Sequence, residues 1–156
     1  MNREEMLYQI LYSHHLERMF STVTSRIDKV LSFFLILLGS GVIVGFGYPV
    51  ITGLLIAGIS AIKMAFHFEA SSERSRKQAA AYLKLFNAQH LIESDSDLLK
   101  KITELQDEDH ILWSVLIYPA MVATQIEMGK TPTTRLTFIE RLFARVSGAI
   151  VQTRSV

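Results

Sequence analysis

Hydrophobic positions along this chain change their spacing twice. From residue 3 to residue 27 they recur at helical intervals, with Leu7, Ile10, Leu11, Phe20, Val23 and Ile27 on one side and Glu4, Glu17 and Arg18 left for water. From Val30 to Ile62 the alternation vanishes because no position is charged: VLSFFLILLGSGVIVGFGYPVITGLLIAGISAI, with Lys29 just before it and Lys63 just after. After residue 68 the helical spacing returns.

The uncharged run holds 33 residues. As one helix it would reach about 50 Å, well past the roughly 30 Å of bilayer hydrocarbon, so two spans fit better than one. A turn is available in its middle at GFGYP: Gly45 and Gly47 unwind a helix, Phe46 and Tyr48 suit a headgroup interface, and Pro49 is placed to start the next helix. The pattern predicts helices over about 28–45, with Asp28 as N-cap, and over about 49–68.

A hairpin returns both of its ends to one side, and those ends carry Arg26, Lys29, Lys63, Arg74, Arg76 and Lys77, while the turn carries no charge. The positive-inside rule then puts both termini in the cytoplasm and the chain in the inner membrane as a multi-pass protein. The amino-terminal stretch, charged and amphipathic, does not read as a secretory signal. The competing reading is a soluble all-α interaction protein that buries the hairpin on every side, for which the remaining amphipathic helices offer little spare cover.

Within the hairpin, Thr52, Gly53, Ala57, Ser60 and Ala61 fall on one small, mildly polar face, and Gly41 with Gly45 forms a GxxxG pair beside Gly39 and Ser40. Such faces pack the two helices together or pack copies of the chain into a homo-oligomer. If a pore forms, Ser40, Thr52 and Ser60 are the residues that would wet it; no charged ring marks a selectivity filter.

The remainder, 69–156, reads as a helical cytoplasmic region. EASSERSRKQAAAYLKLFNAQHLIE is expected to bury Ala80, Leu83, Phe86 and His90, and Ser94 to Asp97 caps a further helix, LLKKITELQ. His110 to Ile126 is apolar but interrupted by Pro119, and a third crossing would carry Arg135, Arg141, Arg145 and Arg154 outside; a kinked core helix with Trp113 as its largest buried piece is expected instead. GKTPTT, Gly129 to Thr134, makes a loop unlike a P-loop. Thr137 and Glu140 form a capping box for FIERLFARVSGAIV, whose apolar Ile139, Phe143, Val146 and Ile150 travel with Arg141 and Arg145; this basic helix lies on anionic lipid, docks on another subunit or packs in the bundle.

Charge and composition narrow the chemistry. Residues 69–111 carry six Lys/Arg against nine Asp/Glu and residues 112–156 five against two, but no basic block is dense enough for a nucleic-acid partner. With no cysteine there is no disulfide, thiolate zinc site or cysteine nucleophile. His14 and His15 are adjacent and face different sides of a helix; His67 with Glu69, His90 with Glu93 and Asp107 with His110 are the other pairings, and only the last partly matches a helical di-iron motif. Ser40 between two glycines lacks a nucleophile elbow and a base. No catalytic, metal or cofactor site is expected.

The order of a short amino-terminal helix, two closely spaced apolar helices, FHFEASSERSRKQAAAYLKLFNAQ and a helical tail resembles, over about residues 5–130, the SLATT family of two-transmembrane effectors associated with SMODS and SLOG modules. The resemblance implies a pore-forming or membrane-disrupting effector in prokaryotic conflict and antiphage defence. It further implies a trigger from outside this chain: a sensor protein, a nucleotide signal or a phage component. The expected whole is an all-α membrane protein, with an amphipathic helix over 1–27, a transmembrane hairpin over 28–68 and a cytoplasmic bundle over 69–156.

Overall fold

A computed structural model of the chain describes residues 2–43, 48–109 and 112–149. Six α-helices run in the order α1 (Arg3–Ile43), α2 (Pro49–Phe66), α3 (Phe68–Ala88), α4 (Asp95–Gln106), α5 (Ile117–Glu127) and α6 (Phe138–Val146), with no strand among the described residues. The fold is all-helical.

The break expected at Asp28 is absent. α1 is one helix of 41 residues, about 60 Å long, that carries the amphipathic segment and the first apolar segment without interruption. Two causes combine: no Gly or Pro occurs before Gly39, and the Asp28 carboxylate reaches Lys63 instead of capping a new helix. The helix begins at a reciprocal cap, in which the Glu5 amide donates to Asn2 Oδ1 (2.8 Å) and the Asn2 amide to Glu5 Oε2 (2.9 Å).

α2 starts as expected, with Tyr48 extended at its N-cap and Pro49 in its first position. It ends two residues short of the expected limit because His67 takes a left-handed conformation (φ 45°, ψ 45°), which bends the chain into α3. The bend directs α3 back along α1, antiparallel to it. The facing positions on α1 are Met6, Ile10, Ser13, Glu17, Ser21 and Thr24, and on α3 Phe68, Ser72, Ser75, Ala79 and Tyr82; all are buried. Steps of four and three on both helices are those of a coiled-coil seam. The expected inner face of α3 is therefore displaced: Ala80, Leu83 and His90 are exposed, and only Phe86 is half-buried.

Two apolar clusters flank this seam. One joins Met6, Ile10, Tyr82, Leu85, Leu98 and Ile102 from α1, α3 and α4. The other joins Met19, Phe20 and Val23 of α1 to Leu116 and Ala120, with Trp113 and Phe143 packed edge-on around it. Each fully buried side chain of this size contributes about 1.5–3 kcal/mol. Arg3 closes the far end, donating to Asp95 Oδ1 (2.9 Å) and to the Gln89 and Ile92 carbonyls (2.7 Å each), where α3 finishes in a 3-10 turn.

Pro119 does not kink a helix. It sits in the first turn of α5, where an amide has no intrahelical acceptor, so its missing N–H costs nothing there; Trp113 precedes the helix and is only half-buried. Gly129 (φ 71°) ends α5, and the GKTPTT loop follows. The Thr137 and Glu140 capping box opens α6, which stops at Val146, before Gly148 (φ 74°), and Ile150 lies outside the described residues. α6 turns Ala144 inward and leaves Ile139 exposed.

Candidate functional site: an apolar hairpin closed by an ion pair

The hairpin is built on a narrow seam. Leu31, Ser32, Leu35, Leu38 and Gly39 of α1 and Thr52, Ile56, Ile59 and Lys63 of α2 are half-buried, the α2 set again stepping by four and three. Every other described side chain on α2 is exposed, and none is buried: Val50 is 83% exposed, Leu54 74% and Met64 75%. On α1, Val30, Phe33, Phe34, Ile36 and Leu37 stand out in the same way. Contiguous apolar surface on this scale exceeds what a soluble monomer leaves in water. The helical run Pro49–Leu91, α2 and α3 with the 3-10 turn that follows, is the one among the described residues long and apolar enough to cross a membrane. The described uncharged part of α1, Val30 to Ile43, is shorter.

On α2 most of the small residues are not the hairpin's contact surface. Gly53, Ala57, Ser60 and Ala61 are exposed, and a Cβ placed on Gly39, Gly41, Gly53 or Gly58 would meet nothing within 4 Å. Only Thr52 of the small face enters the seam. The hydroxyls of Ser40 and Thr52 donate to their own helices, at the Leu37 carbonyl (2.8 Å) and the Tyr48 carbonyl (3.2 Å). Of the expected turn, Tyr48 and Pro49 are exposed at the start of α2; Gly45, Phe46 and Gly47 lie outside the described residues.

The open end of the hairpin is tied by charge. Lys63 Nζ lies 3.0 Å from Asp28 Oδ1 and also donates to Ser32 Oγ, with the Lys63 and Asp28 side chains 25% and 18% exposed. Lys63, expected as a free basic flank, is thus the clamp between α1 and α2. Half a turn below Asp28, Arg26 donates from Nη1 to the Val146 carbonyl at the end of α6 (2.6 Å), while Lys29, Arg141 and Arg145 are exposed. On the returning side, the Phe66 and Phe68 rings stack at 5.4 Å across His67.

Below this clamp the seam between α1 and α3 is polar. Ser72 donates to the Ser21 carbonyl (2.9 Å), and the His14 Nδ1 proton goes to the Ala79 carbonyl (2.7 Å). Glu17, expected to face water, is 1% exposed. Burial pushes its carboxyl up to about 7; a hydrogen bond with Ser75 and the nearby Arg74 act against that rise, and Asp109 adds to it. Asp109 itself accepts from Gln78 (2.8 Å) and from Tyr82 (2.9 Å), and burial together with this carboxylate raises the Tyr82 phenol. The charged side chain at position 17 follows the buried four-three spacing of α1, the one signal that would have revealed it.

A cavity of about 230 Å³ opens beside His15, Arg18, Met19, Ile126, Glu127 and Gly148. The His15 Nε2 proton is held on Glu127 Oε2 at 2.7 Å; burial lowers the imidazole pKa, with Glu127 opposing that shift. No group of three or more His, Asp and Glu side chains converges as a metal site among the described residues. Asp107 and His110 do not test the di-iron pattern, because His110 lies outside the described residues. Comparison of the chain with family models, with curated proteins and with solved structures yields no match.

Proposed function

We propose that this chain is a two-span integral membrane protein of the inner membrane, with both termini cytoplasmic, acting as a homo-oligomeric effector that perturbs the bilayer. The observation that carries this reading is α2, an apolar helix of 18 residues with no buried side chain. Lipid supplies the cover that the rest of the protein does not, and the approximately 20 residues needed for a span are met by α2 with its flanks. The open glycine and alanine face, Gly53, Ala57 and Ala61, supports contact between copies rather than within the hairpin. The resemblance to SLATT effectors supplies the antiphage setting and the external trigger.

A second reading, a membrane-anchored scaffold that presents its bundle to a partner without forming a pore, is favoured by the Ser40 and Thr52 hydroxyls, which are satisfied inside their own helices and offer little to water. One experiment separates the readings. The purified chain is reconstituted in liposomes, washed with alkaline carbonate, and assayed for subunit number and for dye release in the presence of each candidate trigger, with and without Ala57→Leu. Retention in the pellet, oligomers and leakage that Ala57→Leu abolishes are expected; retention without leakage, unaffected by the substitution, selects the scaffold, and extraction into the supernatant rejects both.

A further inference from the structure

The surface of α6 is turned the wrong way for a core helix. Ala144 is buried and Phe143 packs on Trp113, yet Phe138 (76% exposed), Ile139 and Leu142 face outward together on the opposite flank. Arg135, Arg141 and Arg145 border them, all exposed, and none has an ion-pair partner among the described residues. Glu140, the acid of this helix, is engaged with the Thr137 amide (2.7 Å) and so is held at the helix start.

Position gives this flank a meaning. The end of α6 is fixed to Arg26 through the Val146 carbonyl, and Arg26 precedes Asp28 of the hairpin clamp by two residues, about 3 Å along α1. A nine-residue helix reaches about 13 Å, so the whole of α6 lies within that distance of a point beside the clamp. We infer that α6 is an interfacial helix: it sets Phe138, Ile139 and Leu142 into the headgroup boundary of the bilayer the hairpin crosses, and Arg135, Arg141 and Arg145 against anionic phospholipid. This rests on the two-span reading. Two signals of this kind, a small apolar flank and a cluster of guanidiniums, are what reversible docking on an anionic surface requires, and neither suffices alone.

The absence of cysteine makes the test direct, since any introduced cysteine is unique. The chain carrying Ile139→Cys, Leu142→Cys or, as a control on the exposed surface of another element, Leu91→Cys is labelled with an environment-sensitive fluorophore. It is reconstituted in phosphatidylcholine vesicles, with or without phosphatidylglycerol, that contain a shallow lipid-borne quencher. Loss of fluorescence at 139 and 142 in the phosphatidylglycerol vesicles, reversed by high salt and by the combined Arg135→Gln, Arg141→Gln and Arg145→Gln changes, with position 91 unaffected, is the expected result. Absence of quenching while the chain stays in the carbonate pellet overturns the α6 contact and leaves the two-span reading intact. Equal, salt-insensitive quenching in phosphatidylcholine alone overturns the anionic assignment. Nitroxide labels at 139 that broaden one another between copies, with no lipid quenching, would make α6 a protein interface instead. Release of the chain by carbonate defeats the two-span reading and this one with it.

Discussion

Lys63 Nζ stands 3.0 Å from Asp28 Oδ1, joining the last turn of α2 to the middle of α1 at the open end of the hairpin. Both side chains are largely withdrawn from solvent, so removing one partner leaves the other charge uncompensated. Asp28→Ala and Lys63→Met are each expected to cost about 2 kcal/mol in denaturant unfolding of micelle-solubilised protein, and the pair together less than the sum. A double-mutant cycle reads the coupling, for which about 1 kcal/mol or more is expected.

Glu17 makes stability depend on pH in a definite direction. Its folded pKa of about 7 exceeds the ordinary carboxylate value of 4.5, so between these limits the folded chain holds a proton that the unfolded chain has lost. Stability is therefore greatest below the lower limit and declines as pH rises through about 7, by about 3 kcal/mol from this residue. His15 works oppositely: its lowered pKa makes the folded chain take up this proton less readily than the unfolded one, so its effect destabilises the protein as pH falls below 6.5. Comparing melting curves of the parent chain and Glu17→Gln over this pH range isolates position 17; the variant is expected to lead at high pH and to lose that lead on acidification.

His67 is the one non-glycine residue among those described with positive φ. A side chain there is strained by about 1–2 kcal/mol, and a β-branched one by more. His67→Gly is expected to hold or raise the unfolding midpoint, whereas His67→Val lowers it by an amount corresponding to about 1–3 kcal/mol.

Thr137 Oγ1 accepts from the Glu140 amide while Glu140 returns the bond to the Thr137 amide. Thr137→Ala is expected to cost about 1 kcal/mol and to speed amide exchange in the first turn of α6, with little change at Met6 or Ile10 in the distant cluster.

Much of this architecture was legible in the order of residues. The helix starts at Pro49 and Thr137, the loop after Gly129 and the apolar character of α2 follow from local chemistry, because each depends on a few adjacent residues. What was illegible depends on partners far along the chain. Asp28 has the composition of a cap but is drawn off by Lys63, and Glu17 has the polarity of a surface residue but sits opposite Ser75. The inner face of α3 is hidden for a related reason: its buried positions include Ser72, Ser75 and Gln78, so hydrophobicity points to the wrong side of the helix while spacing points to the right one. The small residues of the hairpin were visible at once, yet their outward orientation was not, since it depends on which side of α2 the leucine and isoleucine seam takes.

The unbroken length of α1 has a mechanical consequence. A helix without an internal joint transmits rotation about its axis almost undiminished, so a turn imposed on the shaft at Glu17 in the bundle arrives at Ser32 in the hairpin. The other route between the two halves passes through His67, where the backbone departs from helical geometry. One arm is an unbroken helix and the other carries a bend. A partner that repacks the bundle would therefore reach the apolar hairpin through both arms at once, with the Asp28 and Lys63 pair holding α2 to α1.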